Sequence, residues 1–245
     1  IFSRPVWKPL HTLKHLKQKR LIKDINSLSA KKARHEFSKI RGYFEYKKKI
    51  EATFIKNFKI ENIPVRYYRG KNNSKNEELP VMIYFHGGGW VVGDLDTHDQ
   101  ICQMLVSNSK YDIISVDYSL APESTFPKAI NEGIKILKAI AKSKFNLKIN
   151  NKKIMLCGDS AGGNIATVLC NYNKNRLKAN ILLQVLIYPA THMFSQYESK
   201  NKYDGLILNK KLMSWFEDHY CPKNIRDKYV NDIRLSPIKN NKMKG

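Results

Sequence analysis

Acidic residues are scarce in this chain of 245: 21 Asp and Glu stand against 44 Lys and Arg, a formal net charge of +23 with a pI near 9.8. So basic a balance raises nucleic acid or an anionic membrane as a partner. The features of nucleic-acid recognition are missing, however: no basic platform interleaved with aromatics, no zinc-knuckle spacing and no RNP-like stretch accompanies the charge. No nucleic-acid partner is expected. Cysteines are few as well. Cys102, Cys157, Cys170 and Cys221 form no C-x-x-C pair and lack the density of a disulfide scaffold, so they read as reduced, packed side chains. Long apolar runs are absent; the longest, residues 181–190, is interrupted by Gln184 and Pro189 and falls well short of the roughly 18 residues a spanning helix needs. The sequence also lacks a G-x-G-x-x-G register and a P-loop lysine, which argues against a nucleotide site. Asp94, Asp96, His98 and Asp99 crowd together but have neither EF-hand nor H-E-x-x-H spacing, so no metal is expected and turn or capping roles are. Asn72-Asn73-Ser74 fits a glycosylation sequon and reads as a polar loop.

What is present suffices for a core. Hydrophobic residues make up 42% and aromatics 11%, with no repeat and no second composition regime, so one large α/β domain is the expectation. The charge is uneven. Residues 1–59 hold 17 Lys and Arg against 4 Asp and Glu, a net +13, and the remaining residues 27 against 17, a net +10. In the first segment Leu10, Leu13, Leu16, Ile22, Ile25 and Leu28, then Phe37, Ile40 and Phe44, recur at roughly helical spacing until Gly42 and residues 47–49 blur the pattern. Residues 1–59 are read as a basic helical cap over the core. A peripheral contact with an anionic membrane through residues 1–50 is the competing reading. The chain opens with Ile1 rather than Met, which leaves room for a processed leader, and a cytoplasmic location is expected.

From residue 60 strands and helices alternate. Residues 60–68, 81–85, 111–118, 154–157 and 181–188 read as strands; residues 97–109, 128–144 and 161–174 read as helices, with Ile130, Ile134, Leu137 and Ile140 on one face of the second. Short apolar strands buried on both faces and separated by helices predict a mostly parallel sheet covered on both sides, occupying residues 60–245. Ligands in such sheets bind beyond the carboxyl ends of the strands. Two motifs fall there. Gly158-Asp159-Ser160-Ala161-Gly162 is a G-x-S-x-G between a strand and a helix, where the glycines permit a tight turn that lifts the serine hydroxyl clear of the sheet above a helix N-terminus. His86-Gly87-Gly88-Gly89-Trp90 follows the preceding strand, and its three glycines let backbone N–H groups approach a substrate oxygen.

With Asp117-Tyr118-Ser119-Leu120-Ala121-Pro122-Glu123 between the motifs and Tyr188-Pro189 after the next strand, the chain resembles the hormone-sensitive-lipase-like esterases of the α/β-hydrolase fold from about residue 60 to Pro237. The resemblance implies that Ser160 is the nucleophile of a carboxylic ester hydrolase working through an acyl-serine intermediate, without cofactor, on a small-molecule ester. It implies further that Gly88, Gly89 and Ala161 supply the oxyanion N–H groups, with His86, Gly87, Gly158 and Gly162 completing the motifs. In this fold the acid and the histidine base follow the serine in the chain. Only His192 and His219 do so, neither after an Asp-bearing strand end, and there is no Asp-Pro. The expectation is that acid and base lie beyond Gly245, that the last strands of the sheet are missing, and that residues 181–188 form a hydrophobic edge. The chain alone would then be inactive until completed, in one version by a separate C-terminal polypeptide. The alternative is a noncatalytic small-molecule receptor or pseudoenzyme on the same fold.

Overall fold

The computed structural model describes residues 12, 15–17, 19–44, 52, 54–142, 147–177, 179–202, 204–205 and 208–240. The predicted positions Leu10 and Leu13, and residues 47–49, lie outside them. Six strands form one sheet: β1 (Phe54–Ile60), β2 (Ile63–Arg69), β3 (Leu79–Phe85), β4 (Asp112–Val116), β5 (Ile149–Asp159) and β6 (Ile181–Ile187), in the order β1-β2-β4-β3-β5-β6. The helices are α1 (Ala30–Tyr43), α2 (Asp99–Val106), α3 (Lys128–Ala141), α4 (Ala161–Tyr172), α5 (Ser199–Lys202), α6 (Lys210–Tyr220) and α7 (Lys223–Tyr229). Strands β3 to β6 are mutually parallel, whereas β2 runs antiparallel to both β1 and β4. The expected mostly parallel sheet of an α/β-hydrolase fold is therefore present, in mixed form.

Alternation of side chains along the strands divides the core in two. Val81, Ile83 and Phe85 of β3, with Ile114 and Val116 of β4 and Ile154 and Leu156 of β5, face α3 and α4. Met82, Tyr84, Ile113, Met155 and Cys157 face the other way, where Cys102 and Val106 of α2 cover them. Because both faces are covered, β3 is apolar at nearly every position and β4 is buried throughout, with Ile113, Ile114 and Val116 alongside the buried polar residues Asp112 and Ser115. All four cysteines are free, and burial pushes their thiols upward, Cys157 to about 12 and Cys170 to about 11.

The structure departs from the sequence reading at three places, two of them in the sheet. Strand β1 lies across the boundary drawn at residue 59. Its side chains are mostly exposed, so Lys56, Asn57 and Lys59 resemble a continuation of the basic segment. Glu61 and Asn62, both at positive φ, close a two-residue hairpin that pairs Ile60 with Ile63. Strand β5 begins at Ile149 rather than 154; its polar first half pairs with β3 across a register shift at Pro80/Val81 and carries no hydrophobic signal. Phe44, assigned to the apolar face of the N-terminal segment, is exposed just beyond the end of α1, whose buried residues are Ala30, Ala33 and Glu36. Among the described residues β1 and β6 are the two edge strands, and β6 carries Leu182, Leu183 and Leu186 exposed.

At the end of the sheet opposite the motifs, Arg69 and Asp112 form a buried pair. Arg69 donates from Nη2 to Asp112 Oδ2 at 2.6 Å and from Nε to Oδ1 at 3.0 Å, and Tyr67 donates its hydroxyl to the same carboxylate at 2.7 Å. The guanidinium also donates to the carbonyls of Ser74, Lys75, Glu77 and Lys148, stitching the turn after β2 to the start of β5. With side chains only 4% and 0% exposed, neither charge can fall back on water. Asp112→Ala is expected to lower stability by about 3–5 kcal/mol, the cost of stranding a buried charge, read as a drop in the urea unfolding midpoint.

Candidate active site

In β3 and β5, parallel and adjacent, Phe85 pairs with Gly158, so the segments leaving their carboxyl ends emerge side by side. Val116 pairs with Phe85 and Ile187 with Asp159, which brings residues 117–123 and Tyr188 to the same edge. The two motifs thus meet through strand register alone. The approach is so close that a Cβ on Gly162 would overlap the Phe85 carbonyl.

Ser160 sits at φ 53°, ψ −113°, a strained conformation held from both sides. Its N–H donates to the Ile187 carbonyl at 2.9 Å, and its own carbonyl accepts from Ala190 N at 3.0 Å and from Asn164 N at 3.1 Å. The Asn164 side chain donates in turn to the carbonyls of Ala190 and Leu235. Helix α4 starts at the next residue, so its positive end lies under the hydroxyl. The serine is half-buried.

The glycine loop is a tight turn in which the Gly88 carbonyl accepts from Val91 N and Val92 N at 3.1 and 3.0 Å. Gly88, Gly89 and Trp90 all have positive φ, at 120°, 58° and 61°. The Phe216 ring of α6 lies against Gly89 where a Cβ would otherwise be, and Tyr220 stacks on Trp90 at 4.4 Å. Among the described residues nothing accepts a hydrogen bond from the N–H of Gly88, Gly89 or Ala161. Three backbone donors are therefore unspent beside the serine motif.

Asp159 joins the two motifs. Its Oδ1 accepts from Gly87 N at 2.8 Å and from the Tyr84 hydroxyl at 2.7 Å, and His98 Nε2 lies 3.6 Å away. Burial opposes its ionisation, but His98, Tyr84 and the Gly87 amide outweigh burial and hold the carboxyl below its ordinary range. His86 is fully buried, which pushes it down to about 4, with His98 adding to the effect. It is thus neutral, and because Nδ1 faces the Gly87 carbonyl at 2.8 Å, that nitrogen carries the proton. Its ring stacks on Tyr118, whose hydroxyl donates to the His86 carbonyl at 2.7 Å. A buried neutral imidazole committed to its own loop shapes that loop.

The two histidines that follow Ser160 are engaged elsewhere. His192 Nδ1 meets the Tyr197 hydroxyl at 2.7 Å, and His219 Nδ1 donates to the Trp215 carbonyl at 2.7 Å. Of the downstream carboxylates, Asp218 pairs with Arg226, Asp232 with Arg234, and Asp204 accepts from Lys210 N. The residues at 94–99 separate to different partners: Asp94 accepts from Thr97 N, Asp96 and Asp99 bind Arg66, and His98 turns to Asp159. Tyr84 and Phe216 carry no signal in the sequence, and His98 reads there as a turn or capping residue, since each reaches the motifs only through the tertiary fold.

A family model described as alpha/beta hydrolase fold matches residues 82–245. The chain belongs to that family. It is 33% identical over 184 residues to the carboxylic ester hydrolase LipN of Mycobacterium tuberculosis, covering 72% of this chain and 47% of that protein. It is 34% identical over 161 residues to the ethyl acetate hydrolase of Pseudomonas putida, covering 65% and 51%. The hyperthermophilic esterase of the archaeon Pyrobaculum calidifontis superposes with a TM-score of 0.82 at 33% identity, over 92% of this chain and 73% of that one. An ester-hydrolase from the metagenome of Lake Arreo gives 0.86 at 30%, over 96% and 74%. The expected kinship with hormone-sensitive-lipase-like esterases is borne out. The chain spans about half the length of the curated relatives it matches.

The strain at Ser160 can be weighed directly. Ser160→Gly should be more stable than Ser160→Ala by about 1 kcal/mol, because relief of roughly 1–3 kcal/mol of strain exceeds the about 0.4–1 kcal/mol that glycine costs through the unfolded chain. Equal urea midpoints for the two variants would show the elbow to be relaxed.

Proposed function

We propose that this chain carries the nucleophile and oxyanion hole of a carboxylic ester hydrolase. The observation that supports this reading most is the strained Ser160 on a helix N-terminus, abutting a glycine loop with unspent N–H groups. Ser160 Oγ attacks the ester carbonyl carbon while its proton passes to a histidine base. The carbonyl oxygen becomes an oxyanion held by the N–H groups of Gly88, Gly89 and Ala161, and collapse expels the alcohol, which takes the proton back. Water then cleaves the acyl-serine by the reverse sequence. The likeness to an ethyl acetate hydrolase favours small esters, and the family resemblance short to medium acyl chains.

Acid and base come from polypeptide beyond Gly245 or from a second chain that pairs along β6, where Leu182, Leu183 and Leu186 offer an apolar edge. Without them turnover falls by about a million-fold, since a serine without its histidine retains little beyond binding and oxyanion stabilisation. An organophosphonate should therefore label Ser160 in the completed protein and far more slowly in the 245-residue chain. Hydrolysis of p-nitrophenyl acetate by the completed protein that survives Ser160→Ala would overturn the assignment. Tight ester binding without turnover would select a receptor instead.

We further infer that the N-terminal segment makes a peripheral contact with anionic lipid. No described helix is long and apolar enough to cross a membrane. Phe44 and Met104 line one groove beside Arg41, and Tyr43, Phe44 and Met104 are exposed near the basic stretch that gives residues 1–59 their net +13. Replacing Lys32 and Lys39 by Glu should abolish co-sedimentation with phosphatidylserine vesicles at low salt. Undiminished binding would remove the proposal.

A further inference from the structure

Arg34 of α1 reaches two segments at once, the loop after β3 and residues 117–123. Its Nε donates to the Val91 carbonyl at 2.9 Å and its Nη2 to the Ala121 carbonyl at 2.9 Å. Both terminal nitrogens also engage Glu123, at 3.0 and 2.5 Å. The Arg34 guanidinium holds the Glu123 carboxyl below its ordinary range.

The position of those two carbonyls matters. Val91 is the residue whose N–H closes the Gly88 turn, and Ala121 is the residue whose N–H donates to the Trp90 carbonyl at 2.8 Å. The peptides on either side of Val91 are thus fixed by Arg34 directly and through Ala121. Gly88 and Gly89 have no side chains with which to hold the turn, whose other contacts are the Phe216 ring against Gly89 and the Tyr220 ring stacked on Trp90. The direction in which the Gly88 and Gly89 N–H groups point is then set by where the peptide after Trp90 is held. A planar guanidinium suits this task because one rigid fork serves two carbonyls and a carboxylate together, which a lysine ammonium cannot do.

We propose that Arg34 is a positioning residue for the oxyanion loop, so that seating of the N-terminal helix on the core sets the geometry of the Gly88 and Gly89 donors. The helix is in this sense part of the catalytic apparatus and more than a cover. The inference rests on the ester-hydrolase reading for its consequence in turnover, and on contacts alone for its consequence in loop order.

Two measurements separate these layers. Amide hydrogen exchange on the 245-residue chain should speed up at least ten-fold across residues 87–92 in Arg34→Ala, with β3 and β5 unchanged, and nearly as much in Arg34→Lys, which keeps the charge and has a smaller effect on folding. His35→Ala, exposed on the same helix, should leave exchange as it is. In the completed, active protein, Arg34→Lys should lower kcat about ten-fold or more for acetate and octanoate p-nitrophenyl esters alike, with KM nearly constant. That pattern marks loss of transition-state stabilisation rather than of binding, and it is smaller than the 100- to 1,000-fold loss that follows removal of a donor outright. Unchanged exchange at 87–92 in Arg34→Lys overturns the proposal, as does a rise in KM at constant kcat. If the wild-type completed protein cleaves no ester, the ester-hydrolase reading fails, and the exchange result alone then decides whether Arg34 orders the loop.

Discussion

The pairing of Phe85 with Gly158 on adjacent parallel strands governs everything at the site. Parallel neighbours end at the same edge of the sheet, so two segments 70 residues apart in sequence leave the core within contact of each other without any long-range docking. The contact is too close for side chains at Gly87 and Gly162, whereas Gly88 and Gly89 serve the left-handed turn of the loop. Gly162 is small because the Phe85 carbonyl occupies the space a Cβ would need, and Asp159 is acidic and buried because it accepts the Gly87 amide across the same gap. The ionised carboxylate is tolerated there because Tyr84 and His98 complete its shell.

The parts of the molecule that could be read in advance are those whose physics is local. Residues 86–90 and 158–162 announce themselves because a left-handed turn and a strained elbow restrict the usable residue types. Strands β3 and β4 do so because burial on both faces favours apolar residues, and β6 because its residues are apolar although they are half-buried or exposed. What stayed hidden has a different origin. Strand β1 is held by a hairpin and exposed along most of its length, so its lysines carry no alternation. The first half of β5 pairs through its backbone while its side chains remain polar. Arg34 is one of 17 basic residues in the first 59 and looks like the rest, because its distinction lies in two carbonyls brought to it from residues 91 and 121. Phe216 similarly meets Gly89 only through the path of α6 over the loop.

The fold divides labour between the two ends of its sheet. At one end Arg69 gathers carbonyls from four residues and a carboxylate into a closed, water-poor knot, in which every donor is matched. At the other, donors of the glycine loop and of the first residue of α4 are left unmatched, and the serine between them is held out of a relaxed backbone conformation. Satisfied polar groups at the first end help to support unsatisfied ones at the second.

The free cysteines give this arrangement a chemical selectivity. Sulfur is ordinarily the better nucleophile, and a chain with four thiols would be expected to surrender them first to any electrophile. Here Cys102 and Cys157 are packed beneath the sheet, Cys221 is buried and Cys170 half-buried, and burial raises all four thiols, which keeps the reactive thiolate rare. On the ester-hydrolase reading proposed above, an acyl donor entering at the carboxyl ends of the strands would meet oxygen rather than sulfur, and the resulting oxygen ester would stay open to water where a buried thioester would be sealed from it.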